Sequence, residues 1–282
     1  MADAPRPVPG HPKLGDVPSG DRSRYSATEG PVGVWLDRDG ALLRLRLARP
    51  KANLCDAAMI AALRAALAEH RERAALLGVL LDAEGAHFSF GASVEEHLAD
   101  RCAQMLASLH ALVVEMVGFP KPILVAVRGQ CLGGGLEIAL AGGPIFARAD
   151  AQFGQPEIKL GVFAPAASCL LPWRIGAAAA EDLLWSGRSI DGHTALALGL
   201  AQSLADDPQA AALAWFDEHL GPRSAAALAC AVAATRAPRL RELRERLAEV
   251  EQLYLQRLMT TRDANEGLAA FLERRPPAWE HR

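Results

Sequence analysis

The sequence predicts an α/β fold with a parallel sheet and crossover helices, followed by an all-helical C-terminal region. Three observations carry this. Short, continuously apolar segments at 76–81, 122–127 and 145–147 read as buried strands, and helical stretches at 56–73 and 94–118 separate them. After residue 205 strand signals stop, and helical patterns take over at 208–219, 223–235 and 238–274. With 51% hydrophobic and 22% charged residues in a chain of 282, there is enough apolar material for a sizeable core.

Residues 1–30 form a tail. Five of the 18 prolines fall there, with glycines between them and no apolar stretch of the kind a secretory leader needs, so the tail is expected to be disordered. Order begins near Val32. Val32–Leu36 and Ala41–Leu47 flank the turn Asp37-Arg38-Asp39-Gly40 and predict a hairpin. In its second arm Leu43, Leu45 and Leu47 alternate with Arg44 and Arg46, the period of a half-buried strand. Asp56–Arg73 carries Met59, Ile60, Leu63 and Leu67 at helical spacing. The organisation is therefore a tail at 1–30, an α/β core at 31–205 and a helical region at 206–282.

A net charge of −3 argues against a broad face for nucleic acid or anionic lipid. No apolar run approaches the roughly 18–20 residues of a membrane span. Five cysteines, odd in number and without CxxC spacing, predict buried free thiols in a reducing, cytoplasmic compartment rather than a disulfide framework or a zinc site.

The most informative stretch is Gly129-Gln-Cys-Leu-Gly133-Gly134-Gly135-Leu-Glu137, which follows a buried strand and opens a helix. Three glycines allow unusual backbone angles and close approach of a ligand, and the helix N-terminus leaves N–H groups free. Such a turn either holds an oxyanion or is an ordinary strand–helix connection. Nucleotide motifs fail on spacing, because Ile138 stands where GxGxxG needs its third glycine and Gly135 where a P-loop needs lysine. Glu157 follows Glu137 by 20 residues, in Phe153-Gly-Gln-Pro-Glu157. Both carboxylates lie beside apolar segments, and burial would suit them to general acid–base work. A second candidate donor loop is Glu84-Gly-Ala-His87-Phe-Ser89-Phe90-Gly91-Ala92-Ser93, which either turns the Ala92 N–H toward a ligand or is an ordinary loop. His87, His97 and His110 are expected to be surface groups or satisfied interior ones.

In this order, the FSFGAS loop, PILVAVRGQCLGGGLEIALAG, ADAQFGQPEIKLGV and the C-terminal DANEGLAAFLERRPPAW resemble the enoyl-CoA hydratase/isomerase (crotonase) superfamily over residues 32–280. The resemblance implies a crotonase-like spiral of β-β-α turns with a C-terminal helical trimerisation region, assembled as a homotrimer or homohexamer. It implies an acyl-CoA thioester substrate, no metal and no cofactor beyond the coenzyme A of the substrate. It places the oxyanion-hole amides at Ala92 and Gly134, the catalytic pair at Glu137 and Glu157, and a coenzyme A-binding strip at Lys51 and Ala52. Retention of both glutamates favours hydration.

Departures from the family pattern bear on the acyl group. Phe90 and Ser93 alter the first donor loop, and Ala164-Pro165-Ala166-Ala167-Ser168 replaces a glycine-rich stretch after the second glutamate. Pro165 offers no N–H. With Ser89 and Phe163, these residues predict a compact apolar wall for a flat ring. The branch most resembled hydrates a cyclic conjugated dienoyl-CoA of aromatic-compound degradation. The alternatives are a hydratase or isomerase for cyclic monoenoyl- or linear 2-enoyl-CoA, and a non-catalytic RNA-binding or scaffold role. The negative net charge and the two glutamates count against the last.

Overall fold

The computed structural model describes residues 30–282; the expected disorder of the tail lies outside the described residues, apart from Gly30. The chain opens with the hairpin β1 (Val32–Asp37) and β2 (Leu42–Leu47). It continues through α1 (Ala57–His70), β3 (Gly78–Ala83), α2 (Cys102–Val117), β4 (Ile123–Val127), β5 (Gln130–Leu132) and α3 (Gly134–Ala141). Next come β6 (Ile145–Ala147), β7 (Gln152–Gly154), α4 (Pro165–Ile175), α5 (Ala177–Ser186), β8 (Ser189–Asp191), α6 (Gly192–Ala197) and β9 (Ser203–Leu204). The chain closes with α7 (Pro208–Trp215), α8 (Ala225–Leu253) and α9 (Arg262–Leu272).

One sheet has the order β1-β2-β3-β4-β6-β9, antiparallel at the hairpin and parallel thereafter. A smaller sheet has the order β5-β7-β8, and Ser89 extends it by a bridge to Cys131. Successive turns of chain place one strand in each sheet before a helix returns: β4, β5 and α3, then β6, β7 and α4. The expected spiral of β-β-α turns is this arrangement. Its main core lies under α1, α2, α3 and α4, and a second apolar cluster on the sheet joins Leu42, Leu80, Leu124 and Phe146 to Ala212 and Phe216.

That second layer changes the reading of β2. The strand is buried on both faces, not half-buried. Arg44 is 3% exposed and Asp82, opposite Arg46 on β3, is 1% exposed. The Asp82 carboxylate accepts from Arg44 at 3.0 Å and from Arg46 at 2.6 and 2.8 Å, and Arg46 also donates to Gln209 in the first turn of α7 at 2.9 Å. Alternation of leucine and arginine thus marks two buried environments, one apolar and one ionic.

Three helical expectations need correction. The stretch 94–118 is a short turn at Val94–His97 and a separate helix α2. The segments 223–235 and 238–274 are not divided at Pro238, which lies inside the continuous α8. A proline removes one helical hydrogen bond, and Arg236 anchors the helix beside it by donating to Met116 at 3.2 Å and Gly142 at 3.3 Å. The helical pattern then breaks between Leu258 and Arg262, and α9 folds back. Gly267 on α9 stands so close to the Leu160 carbonyl that a Cβ would sit 2.1 Å from its oxygen, so only glycine allows this contact. Four cysteines are buried as expected, but Cys230, on the projecting first half of α8, is exposed.

Removing the carboxylate of Asp82 takes the shared buried acceptor from Arg44 and Arg46, leaving Arg44 with Asp37 at 3.1 Å and Arg46 with Gln209 at 2.9 Å. Asp82→Ala is expected to lower unfolding stability by about 3–5 kcal/mol in urea titrations, with kcat unchanged where the protein stays folded. A stability loss below about 1 kcal/mol would show that these ions are solvated.

Candidate active site

The site lies where the two sheets separate, and glycine makes it possible. Gly133 precedes α3 with φ 50° and ψ −130°. A Cβ there would lie 2.5 Å from Glu157 Oε1, and one at Gly134 would lie 3.2 Å from the Ala92 nitrogen. The turn before α3 therefore presses against both the Glu157 carboxyl and the donor loop at 88–93.

A hydrogen-bond lattice holds that loop. Ser89 N–H donates to Gln130 at 2.9 Å, Leu132 N–H donates to Ser89 at 3.0 Å and Phe90 N–H donates to Ala52 at 2.9 Å. The Ser89 hydroxyl donates to the Asn53 carbonyl at 2.8 Å and accepts from Gly91 N–H at 3.0 Å. Ser89 is fully buried, and its hydroxyl is committed to the backbone. Asn53, unremarked in the sequence, is 1% exposed and its amide donates to Glu84 and His87 at 3.0 and 3.1 Å. It clamps the strip containing Lys51 and Ala52 to the donor loop. With neighbouring amides occupied, Ala92 N–H and Gly134 N–H have no acceptor among the described residues. Two free amides beside one another, one at a helix N-terminus, make a cradle for negative charge on oxygen.

The carboxylates meet the same turn from two sides. Glu137, in the first turn of α3, is 3% exposed, and its Oε1 accepts from Ala167 N–H at 2.8 Å. Pro165 stands in the first turn of α4, where a missing N–H costs no helical bond, and the amides of Ala166 and Ala167 face Glu137. Burial pushes the Glu137 carboxyl up to about 7, against the pull of these amides. Glu157 as a residue is half-buried, but its carboxyl group points inward on Gly133. Burial first, and the charge of Glu137 second, push it up to about 8. Gln155, 1% exposed, is a further residue that sequence reasoning missed. With its amide nitrogen turned to the carboxylate, it donates to both Glu157 oxygens at 3.1 and 3.2 Å.

The two candidate aromatic walls have different partners. Phe90 is 43% exposed and meets His87 edge-on at 4.8 Å, while Phe163 packs on Tyr254 at 5.3 Å. His87 accepts from Gln130 N–H at 3.1 Å. His110 departs from the expectation of a satisfied group, because one ring nitrogen meets Glu251 at 2.6 Å and the other is buried without a partner among the described residues.

Fold, glycine turn, free amides and paired carboxyls meet in this one site. The chain matches the family model for enoyl-CoA hydratase/isomerase over residues 37–282 and belongs to that family. It is 64% identical to a cyclohexa-1,5-dienecarbonyl-CoA hydratase of Thauera aromatica, over 91% of this chain and all of that one. It is 31% identical to a probable enoyl-CoA hydratase of Bacillus subtilis, over 88% and 98% of the two chains. Among solved structures, an enoyl-CoA hydratase from Bacillus halodurans superposes with a TM-score of 0.79 at 24% identity, covering 86% of this chain and 100% of that one, a likeness of fold.

The carboxyl pair also makes a prediction about stability. Between the ordinary value of 4.5 and about 7–8 the folded protein holds protons that the unfolded chain releases. The contribution is favourable below that window and is lost as pH rises through it. Urea midpoints are expected to fall between pH ~5 and ~8, and to fall less in Glu157→Gln. An equal pH dependence in the variant would contradict the burial of this carboxyl.

Proposed function

We propose that the protein hydrates cyclohexa-1,5-diene-1-carbonyl-CoA to 6-hydroxycyclohex-1-ene-1-carbonyl-CoA, a step of anaerobic benzoyl-CoA degradation. The observation that carries the reaction class is the pair of unoccupied amides, Ala92 and Gly134, beside two carboxyls that burial drives toward neutrality. The 64% identity to a hydratase of that name supports the acyl group.

The chemistry follows from the charges. A thioester conjugated to a diene is electrophilic at the ring carbon β to the carbonyl. Water attack there moves an electron pair onto the thioester oxygen, and the Ala92 and Gly134 amides stabilise it; losing one such donor typically costs about 3–4 kcal/mol of barrier. Two carboxyls pressed together in a dry site resist double ionisation, so near neutral pH the pair holds one proton. One member takes a proton from the attacking water while the other supplies a proton to carbon. The dienolate accepts that proton at the far end of the conjugated system, the double bond shifts, and the pair again holds one proton. Over the reaction one water is consumed, with no change in oxidation state.

Other assignments support the same reading. Lys51 is exposed at a backbone turn with φ 91°, in the strip whose Ala52 carbonyl holds the donor loop, a place suited to the coenzyme A portion. Phe90, Phe163 and Pro165 surround the acyl group, and the compact Ala164–Ser168 segment favours a flat ring over an extended chain. For assembly we assign a homotrimer or homohexamer, supported by the apolar run Ala225–Ala234, largely exposed on α8, and by Trp185 at 71% and Phe271 at 53% exposure. No helix among the described residues is long and apolar enough to cross a membrane, and the free cysteines suit the cytoplasm.

Glu137→Gln and Glu157→Gln are each expected to lower kcat at least ~100-fold with the fold intact; near-wild-type turnover would remove that residue from the acid–base pair. Purified protein assayed against cyclic dienoyl-, cyclic monoenoyl- and crotonyl-CoA is expected to show kcat/KM for the diene about 100-fold or more above crotonyl-CoA. Equal values would identify a general enoyl-CoA hydratase. Sedimentation at micromolar concentration should show trimers or hexamers, and a monomer would overturn the assembly.

A further inference from the structure

At the end of α8 the helix does not simply stop. Residues Tyr254–Leu258 form a turn of π-helix, in which Met259 N–H donates to the Tyr254 carbonyl at 2.9 Å. Such turns widen a helix by one residue and are common at functional sites. Here Leu253 is 46% exposed, while Tyr254, the next residue, is completely buried. The phenol ring packs edge-on against Phe163, which lies on the segment joining the Glu157 turn to α4, the helix whose amides hold Glu137.

The hydroxyl of Tyr254 has no hydrogen-bond partner among the described residues. A buried hydroxyl left unsatisfied costs about 1–3 kcal/mol, which phenylalanine would avoid while filling the same space. The ring contact with Phe163 sets the phenol beside the segment that joins the Glu157 turn to α4. Burial, together with the charges of Cys102, Glu157 and Glu137, opposes ionisation of the phenol, so it remains a donor. Cys102 itself donates to the Ala99 carbonyl at 3.8 Å. Pro165, in the first turn of α4, has no amide to offer.

We propose that Tyr254 completes the active site, donating a hydrogen bond to the oxygen held between Glu137 and Glu157: first the attacking water, then the new hydroxyl of the product. This rests on the hydratase reading above and names how that site holds its water. The phenol keeps its proton throughout, and it aims a lone pair of the water at the ring while the glutamate pair handles the protons.

The test is Tyr254→Phe in the full-length protein. The wild type is first ranked on the three CoA thioesters, which tests the substrate separately, and the variant is compared with it on whichever substrate ranks first. Expected are a thermal midpoint equal to or above wild type, since an unsatisfied hydroxyl has gone, and a fall in kcat of roughly 10–100-fold with KM little changed. Wild-type kcat in the variant would overturn the proposal, and so would a loss of activity that tracks a loss of stability, which is the mark of a packing role. Should the wild type turn over none of the three, the hydratase reading fails by itself. The tyrosine is then judged by carbon NMR titration of glutamate-labelled protein, in which the two carboxyl titrations shift in the variant; identical titrations would overturn the assignment.

Discussion

Two carboxyl groups share a dry turn in which no side chain fits at Gly133, and much of the molecule is arranged around holding them there. A Cβ at that position would lie 2.5 Å from Glu157 Oε1, so the glycine is what lets the Glu157 turn close on the start of α3. Closure brings together the carboxyl of Glu157, raised to about 8, and that of Glu137, raised to about 7. Two opposing effects hold the pair near neutrality: desolvation raises both groups, while the amides at the start of α4 and the Gln155 side chain keep a carboxylate tolerable. An acid and a base made from the same residue type need that balance.

The fold serves this turn through its two sheets. The large sheet carries the core, and the small one, with strands β5 and β7 and the Ser89 bridge, carries the segments that reach the site. Each segment leaves the small sheet at a glycine or a proline: Gly91, Gly133 and Pro156. The Ala92 and Gly134 amides stay free because hydrogen bonds to Ser89, Asn53 and Ala52 fix the loop around them, which is preorganisation in the plain sense.

Local pattern makes much of this legible in the sequence alone. The hairpin, the buried strands, the glycine turn opening α3 and the spacing of Glu137 and Glu157 are all written in short windows of sequence. Convergence of the two glutamates was not, because it depends on β5 pairing with β7 across 22 residues. Nor was the environment of Arg44: alternating arginine reads as a solvent face unless the register places Asp82 beside it and α7 above it. Pro238 reads as a helix end, yet α8 runs through it with Arg236 anchoring the helix to neighbouring carbonyls. Gln155, Asn53 and Tyr254 carry no motif at all; a partner or its absence in three dimensions is their only signal.

One chemical claim is central: this pair of carboxyls adds water across the ends of a cyclic conjugated diene and not across a single double bond. Running the hydration of cyclohexa-1,5-diene-1-carbonyl-CoA in D₂O and locating the label by NMR tests it directly. Deuterium is expected at the distal ring carbon, across the ring from the new hydroxyl. Deuterium on the carbon bearing the thioester would contradict it, and would make this protein an ordinary enoyl-CoA hydratase.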